Sequence, residues 1–217
     1  MTDLVTAAHS GNILDANIII LLLNPGYSEL IDRKIFERLN DATKAILYQN
    51  RIDALTFKAK KMLDSEEDCI LGNAYWHERL SSLWKREGIK EDVVLARTAI
   101  LQLVGYKSTE FASLHSGEHF VGEKHVERII QYLAEYNNDC LFIIARKNGL
   151  WEPLLKKNGI AAERIIKLKS ARNTYISRGN MYTGRDYTNN KEAERLHQEK
   201  IFNHILCKLG KESAIQL

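Results

Sequence analysis

The residues with the clearest chemical potential follow a run of aliphatic side chains near the start of the chain. Residues 18–23, IIILLL, lead directly into Asn24, Pro25 and Gly26. Proline fixes the backbone φ angle and glycine permits a sharp turn, so Asn24 is expected to be held rigidly at the tip of a buried strand. Its carboxamide would offer both a donor and an acceptor, which can orient a water molecule or read the edge of a nucleobase. The alternative is that Asn-Pro-Gly is a turn with no other purpose.

A second chemically suggestive region lies between residues 164 and 187, where tyrosines are interleaved among basic side chains. Its members are Arg164, Lys167, Lys169, Arg172, Arg178 and Arg185, together with Tyr175, Tyr182 and Tyr187. Basic side chains bind phosphates and aromatic rings stack on bases, so this composition favours nucleic-acid binding. A solvated surface loop is the alternative, because runs of like charge often have no partner.

The composition is that of an ordinary globular protein. The chain has 217 residues, of which 45% are hydrophobic and 27% are charged. This length suits a single domain over residues 1–217. The segment 50–70 is ambiguous and is expected to be a helical insertion or a loop. The net charge of +3 is only mildly basic.

The cysteine pattern argues against a disulfide framework, a zinc site or an iron–sulfur cluster. Cys69, Cys140 and Cys207 lie far apart and are odd in number, so they are expected to be small buried apolar residues. His115, His119 and His125 cluster in sequence, but Gly117 argues against a shared helical face for the first two, and neither a metal nor another cofactor is predicted.

Residues 1–16 are polar and mixed, without the basic and apolar segments of a signal peptide. The aliphatic run over 18–23 is far shorter than the roughly 20 residues that a membrane span needs. We therefore expect a soluble, cytoplasmic protein with no membrane partner.

Apolar runs without alternation predict strands that are buried on both faces. They cover residues 18–23, 98–104, 140–145 and 164–169. Helical periodicity predicts helices over residues 30–49, 73–89, 121–136, 150–158 and 190–209. The first of these is expected to bury Leu39, Ala42 and Ile46, and the last Leu196, Ile201 and Ile205. Strands separated by helices indicate a three-layer α/β/α fold around a mostly parallel four-stranded sheet.

In a sheet of this kind, ligands bind beyond the carboxyl ends of the strands. The loops after the first, second and fourth predicted strands, residues 24–28, 106–108 and 170–180, would therefore meet at one rim. Lys107 and Ser108 in the second loop are candidate contacts to a DNA backbone, although an ordinary loop fits them equally well.

The order of these elements resembles that of the uracil-DNA glycosylase superfamily. The stretch LLNPGYS after the first strand is similar to the first motif of its mismatch-specific and single-strand-selective branches. The aromatic helix NAYWHERLSSLWKREGI resembles the helix that those branches carry next, and IIKLKSARNTYISRGN lies where their second motif follows the last strand. The resemblance is specific only around residues 24–26 and 75–88.

The resemblance implies that a base flipped out of DNA is excised by hydrolysis of its N-glycosidic bond. Asn24 would then hold the attacking water or the sugar face, and Ser170 and Asn173 would complete the catalytic set. The implied base pocket contains Pro25, Gly26, Tyr27 and Tyr75. The implied DNA-binding residues are Lys107, Ser108, Lys169, Arg172, Tyr175 and Arg178.

The sequence departs from the family pattern at two places. Leu22 stands where the first motif has glycine, and KSARN contains no histidine where the second motif has one. The donor for the leaving base would then come from Lys169, Ser170, Arg172 or Asn173. Two alternatives stay open, namely a non-catalytic nucleic-acid-binding protein on the same fold and an unrelated α/β enzyme acting on a small metabolite. Glycine-rich phosphate loops and a Gly-x-Ser-x-Gly elbow do not occur.

Overall fold

A computed structural model describes residues 8–23, 34–62, 74–104, 122–146, 148–170, 172–184 and 190–211. The strands are β1 (His9–Ser10), β2 (Ile18–Leu22), β3 (Thr98–Gln102), β4 (Leu141–Ile144) and β5 (Ile165–Lys167). The helices are α1 (Lys34–Arg38), α2 (Asp41–Leu55), α3 (Ala74–Lys85), α4 (Glu91–Arg97), α5 (Glu123–Glu135), α6 (Asn148–Lys157) and α7 (Lys191–Lys208).

The sheet has the strand order β1-β3-β2-β4-β5, and β2, β3, β4 and β5 run parallel. Ile20 in the central strand pairs with Ile100 on one side and with Ile143 on the other. The predicted mostly parallel sheet is therefore confirmed, with one addition. The short strand β1 pairs antiparallel with β3 and makes the sheet five-stranded; two residues are too few to give a periodic signal.

Both faces of the sheet are covered, which explains why the strand sequences do not alternate. Ile18, Ile20 and Leu22 belong to the core on one face, whereas Ile19 and Leu21 belong to the core on the other. The first core is completed by α3, α4 and α7 and the second by α5 and α6, so the chain forms three layers. The predicted helix over 121–136 is confirmed as α5, whose buried residues are Val126, Ile129, Ile130 and Leu133.

The helix predicted over residues 30–49 is wrong in its continuity. Two helices, α1 and α2, occupy its described part, and Asn40 begins the second by accepting a hydrogen bond from the Thr43 amide at 2.8 Å. This capping bond satisfies an amide that the helix start would otherwise leave unpaired. Ile46 is 40% exposed, and α2 buries Leu47 instead. The helix runs on to Leu55, so the first part of the 50–70 segment is helical, and residues 63–70 lie outside the described residues.

At the other end of the chain, the predicted helix over 190–209 is confirmed as α7, but its buried face is rotated. Leu196 is 55% exposed, whereas Phe202, Ile205 and Leu206 are buried against the sheet. Cys140 is buried as expected, but Cys207 on the same helix as Leu196 is exposed, so its assignment to the core is wrong. Among the described residues, no helix combines the length and apolarity that crossing a membrane requires.

The short edge strand β1 carries a buried histidine. His9 is 1% exposed, and its Nε2 lies 2.6 Å from the Ala54 carbonyl at the end of α2, to which it donates as a neutral ring. The ring stacks on Phe57 with centroids 5.0 Å apart, and His125 lies 6.0 Å away. Burial lowers the pKa of His9 from 6.5 to about 4, because the charged ring would lose its hydration; the Ala54 bond opposes this shift and His125 adds to it.

This lowered pKa makes stability depend on pH. The unfolded chain protonates His9 near pH 6.5 and the folded chain only near pH 4, so the unfolded state binds more protons between these values. The contribution of neutral His9 to the free energy of unfolding is fully present above pH 6.5. It falls by up to about 3 kcal/mol as the pH drops towards 4. Urea unfolding at pH 7, 5.5 and 4.5 measures this slope.

His9→Gln keeps an N–H donor near Ala54 but cannot titrate, so its unfolding free energy is expected to lose this part of the pH dependence. His77→Gln, at a surface position of α3 paired with Glu91, is the control and should retain it. Parallel slopes for the parent and His9→Gln would disprove the assignment.

Candidate functional site

The carboxyl ends of β2, β4 and β5 lie at one edge of the sheet because these strands are parallel. β4 separates the other two, so the ends of β2 and β5 are about 10 Å apart, or two strand spacings. Several site residues that the sequence analysis predicts for this edge lie outside the described residues. They are Asn24, Pro25, Gly26, Tyr27, Lys107 and Ser108.

The end of β2 is held firmly up to the residue that precedes Asn24. Trp151 on α6 is fully buried, and its Nε1 donates to the Leu22 carbonyl at 3.0 Å. The Leu23 carbonyl accepts from the Val104 amide at 2.7 Å. Paired backbone groups and a buried indole therefore hold the strand in place as far as Leu23.

Tyr75 is the point at which three chain segments meet. It lies in the first turn of α3, and its hydroxyl is 2.5 Å from Oγ1 of Thr174, a fully buried residue in the loop after β5. Arg146, directly after β4, brings its Nη2 to 3.5 Å from the same hydroxyl. Sequence analysis did not select Thr174 or Arg146, although Arg146 could have been found as the first cation after the strand CLFIIA.

An arginine sandwich orders the aromatic side chains beside this point. The guanidinium carbon of Arg79 lies 4.4 Å from the centroid of the Tyr75 ring and 4.2 Å from that of Tyr175. Both distances are within the range of attractive cation–π contacts. Arg79 covers one face of the Tyr75 ring, and Trp76 packs against the same ring edge-to-face with centroids 5.2 Å apart.

The hydroxyl of Tyr175 donates to the Glu78 carboxylate, and Nη1 of Arg79 lies 2.9 Å from the other carboxylate oxygen. The bond from Tyr175 lowers the pKa of Glu78, and the same bond raises the pKa of Tyr175. Tyr175 therefore stays neutral with its proton committed to Glu78, and it supports the Arg79 sandwich.

The loop after β5 is built by bonds between side chains and backbone. Oγ of Ser170 accepts from the amides of Arg172 and Asn173, each at 3.3 Å. Nδ2 of the buried Asn180 donates to the carbonyls of Asn173 and Tyr175 at 2.7 and 2.9 Å. The Ser170 oxygen thus shapes the loop, and the side chains of Arg172 and Asn173 are exposed at its tip.

Two of the predicted DNA-binding cations are engaged in ion pairs. Nζ of Lys169 lies 2.6 Å from Glu194. Arg178 donates twice to Glu87, at 3.1 and 2.7 Å, and once to Glu199 at 2.9 Å. A phosphate would have to compete with three acceptor contacts at Arg178, so this residue anchors the loop and we leave it out of the proposed DNA surface.

Glu87 shows the strength of this anchor. Burial would raise its pKa, but hydrogen bonds from Arg178 and Lys211 outweigh burial and hold the pKa below the ordinary value. Glu87 therefore remains an anion at neutral pH and keeps Arg178 and Lys211 in place.

The described part of this edge offers hydroxyl, amide and guanidinium groups. They belong to Tyr75, Asn173, Arg146 and Arg172. Such groups can bind phosphates and stabilise an anion that develops on a leaving base. The chain matches no protein-family model, no curated protein and no solved structure.

Proposed function

We propose that the protein is a DNA glycosylase-like enzyme that hydrolyses the N-glycosidic bond of a flipped-out uracil or modified base. The observation that supports this most is the meeting of α3, the tip of β4 and the loop after β5 at the Tyr75 hydroxyl. This meeting point lies at the sheet edge where β2 ends, and Asn24 follows β2.

In the proposed reaction, DNA presents one extruded nucleotide to this edge. Tyr75 lines the base pocket, and Asn24 holds the attacking water against the sugar. Water forms a bond to C1′ while the bond from C1′ to the base nitrogen breaks, and the base leaves with the electron pair. Arg146 and Asn173 stabilise the departing anion, which then takes up the proton that the attacking water loses.

Base excision is tested with duplex and single-stranded oligonucleotides that contain uracil, a mismatched base or a modified base. Alkali treatment cleaves the strand wherever a base has been removed. We expect scission with at least one of these substrates and none with the unmodified strand. Complete absence of scission with all substrates at excess enzyme would refute the proposed activity.

Arg172→Ala is expected to weaken binding to unmodified DNA and to reduce the slope of log K against log salt by about 1, because one exposed phosphate contact is lost. Fluorescence anisotropy at several salt concentrations measures both quantities. Arg195→Ala is the matched control, since Arg195 is an exposed arginine that pairs with Glu192 on α7, away from the loop. Equal salt slopes for the parent and Arg172→Ala would remove Arg172 from the DNA surface.

A second candidate is a non-catalytic nucleic-acid-binding protein on the same fold. It is favoured by the absence of histidine from KSARN, since this loop supplies hydroxyl, amide and cationic groups in its place. This candidate predicts salt-dependent DNA binding that survives Asn24→Ala, with no abasic product. The excision assay and the binding assay together separate the two candidates.

A further inference from the structure

A second concave region lies away from the carboxyl edge, on the side of the sheet that ends at β5. It is an open groove of about 590 Å³ between β5, α6, α7 and the segment 182–184. This volume falls within the range of small-molecule sites, roughly 300 to 1,000 Å³. Tyr75, Arg146 and Thr174 do not line it, so the groove is separate from the proposed base pocket.

One face of α7 forms a wall of the groove. His197, Lys200, Ile201 and His204 all line it, and their spacing places them on one side of a helix. The histidines of this helix have no part in the proposed excision reaction. Both histidines therefore lie on the same groove, which their spacing in the sequence did not reveal.

The charge of the groove favours an anion. Lys156, Lys167 and Lys200 bring three ammonium groups to the lining, against the carboxylates of Glu152 and Glu163. Glu152 already pairs with Lys156 at 2.9 Å and with Lys167 at 2.5 Å. Lys200 is exposed and makes no ion pair within the part of the chain that the structure describes. Its ammonium is therefore available to a ligand.

The groove also has an apolar and aromatic side. Ile165 and Ile201 contribute partly buried aliphatic surface, and the Tyr182 ring is 48% exposed. Nζ of Lys167 lies over one face of the Tyr182 ring, 5.9 Å from its centroid, so an ammonium group adjoins a half-exposed aromatic ring. A flat heterocycle gains from stacking on such a ring, and an attached anionic group gains from the adjacent ammonium.

From this combination we propose that the groove is a binding site for a nucleoside phosphate. The base packs against Tyr182 and the two isoleucines, and the phosphate lies among Lys200, Lys156 and Lys167. Lysine binds phosphate as a mobile point charge, so no glycine-rich loop is needed. The site does not depend on the proposed excision reaction, and either can fail without the other.

The test is isothermal titration calorimetry of the full chain with adenosine 5′-monophosphate, adenosine and inorganic phosphate. We expect the monophosphate to bind at least about tenfold more tightly than either fragment, because only the whole molecule uses both sides of the groove. Equal affinity for inorganic phosphate would overturn the proposal in favour of a plain anion site. Equal affinity for adenosine, or no heat at millimolar monophosphate, would also overturn it.

Two surface variants assign the binding to the groove. Lys200→Glu and Tyr182→Leu are each expected to weaken monophosphate binding about tenfold, through lost charge attraction and lost stacking. Lys191→Glu makes the same charge change at the start of the same helix, outside the groove, and is expected to bind like the parent. Parent-like binding by both Lys200→Glu and Tyr182→Leu would overturn the proposal.

A pentadeoxyadenylate titration distinguishes a free nucleotide from a nucleotide within a strand. If the pentadeoxyadenylate binds far more tightly than the monophosphate, and Lys200→Glu weakens this binding, the ligand of the groove is a nucleotide within a DNA strand. If the two bind equally, the ligand is a free nucleotide. In either case Lys200→Glu is expected to retain base excision, so a failure of the groove remains distinguishable from a failure of the proposed enzyme.

Discussion

Asn24→Ala is expected to lower the single-turnover rate of base excision by about 100- to 1,000-fold, the loss that follows removal of one preorganised polar group from a transition state. The expectation rests on the held end of β2, where Trp151 and Val104 bind the last two backbone carbonyls before Asn24. In the proposed mechanism Asn24 is oriented before substrate binds, and the substitution removes the carboxamide on which that preorganisation depends.

The unfolding free energy of Asn24→Ala should remain close to that of the parent, since the change removes polar atoms and leaves the aliphatic strand intact. Asn12→Ala is the control, because Asn12 is another asparagine near β2 whose Nδ2 donates to Asp15 at 3.1 Å. A rate for Asn24→Ala within about threefold of the parent, under half a unit of log rate, would exclude Asn24 from the chemistry.

Trp151→Ala is expected to lower the free energy of unfolding by about 3 to 5 kcal/mol, as large aromatic truncations in packed cores do. Trp151 is fully buried in the core on the α5–α6 face of the sheet. The change removes the indole from this core and leaves the Leu22 carbonyl with the Leu103 amide, 3.0 Å away, as its donor. Urea denaturation followed by circular dichroism measures the loss.

Trp151→Phe separates packing from positioning. Phenylalanine keeps most of the apolar contact but cannot donate to Leu22, so stability should fall by only about 1 to 3 kcal/mol. Excision should fall as well, because Leu22 lies two residues before Asn24. Trp84→Phe, on the opposite face of the sheet, is the matched control. If Trp151→Phe excises base as fast as Trp84→Phe, the indole bond does not position the site.

The strands and most helices could be predicted because their signals are local. β4 is an unbroken apolar run, and α5 places Val126, Ile129, Ile130 and Leu133 on one face. The break before α2 was missed because the helical spacing of apolar residues continues across Asn40, although Asn40 caps the start of a new helix. The exposure of Leu196 was missed because α7 packs on the sheet through Phe202 and Leu206. Which face of α7 is buried depends on its packing against the sheet and not on the helix sequence alone.

The candidate site was only partly predictable. Tyr75 and the loop after β5 could be selected from chain order, since parallel strands deliver their following loops to one edge. The partners of Tyr75 could not, because Thr174 is 99 residues away in sequence and Arg146 is 71 residues away. Arg178 looked like a phosphate contact because its acidic partners are remote. One of them, Glu87, lies 91 residues away.

The two lateral margins of the sheet offer little to a foreign strand. At one margin β1 is only two residues long. At the other, the Lys167 carbonyl and the Lys169 amide are already bonded to Tyr182 and Asn180 around the bridge from Leu168 to Met181. Unpaired margins are where proteins recruit each other into fibrils. The short β1 and the backbone bonds beside β5 therefore limit the pairing of the sheet edges with a strand of another molecule.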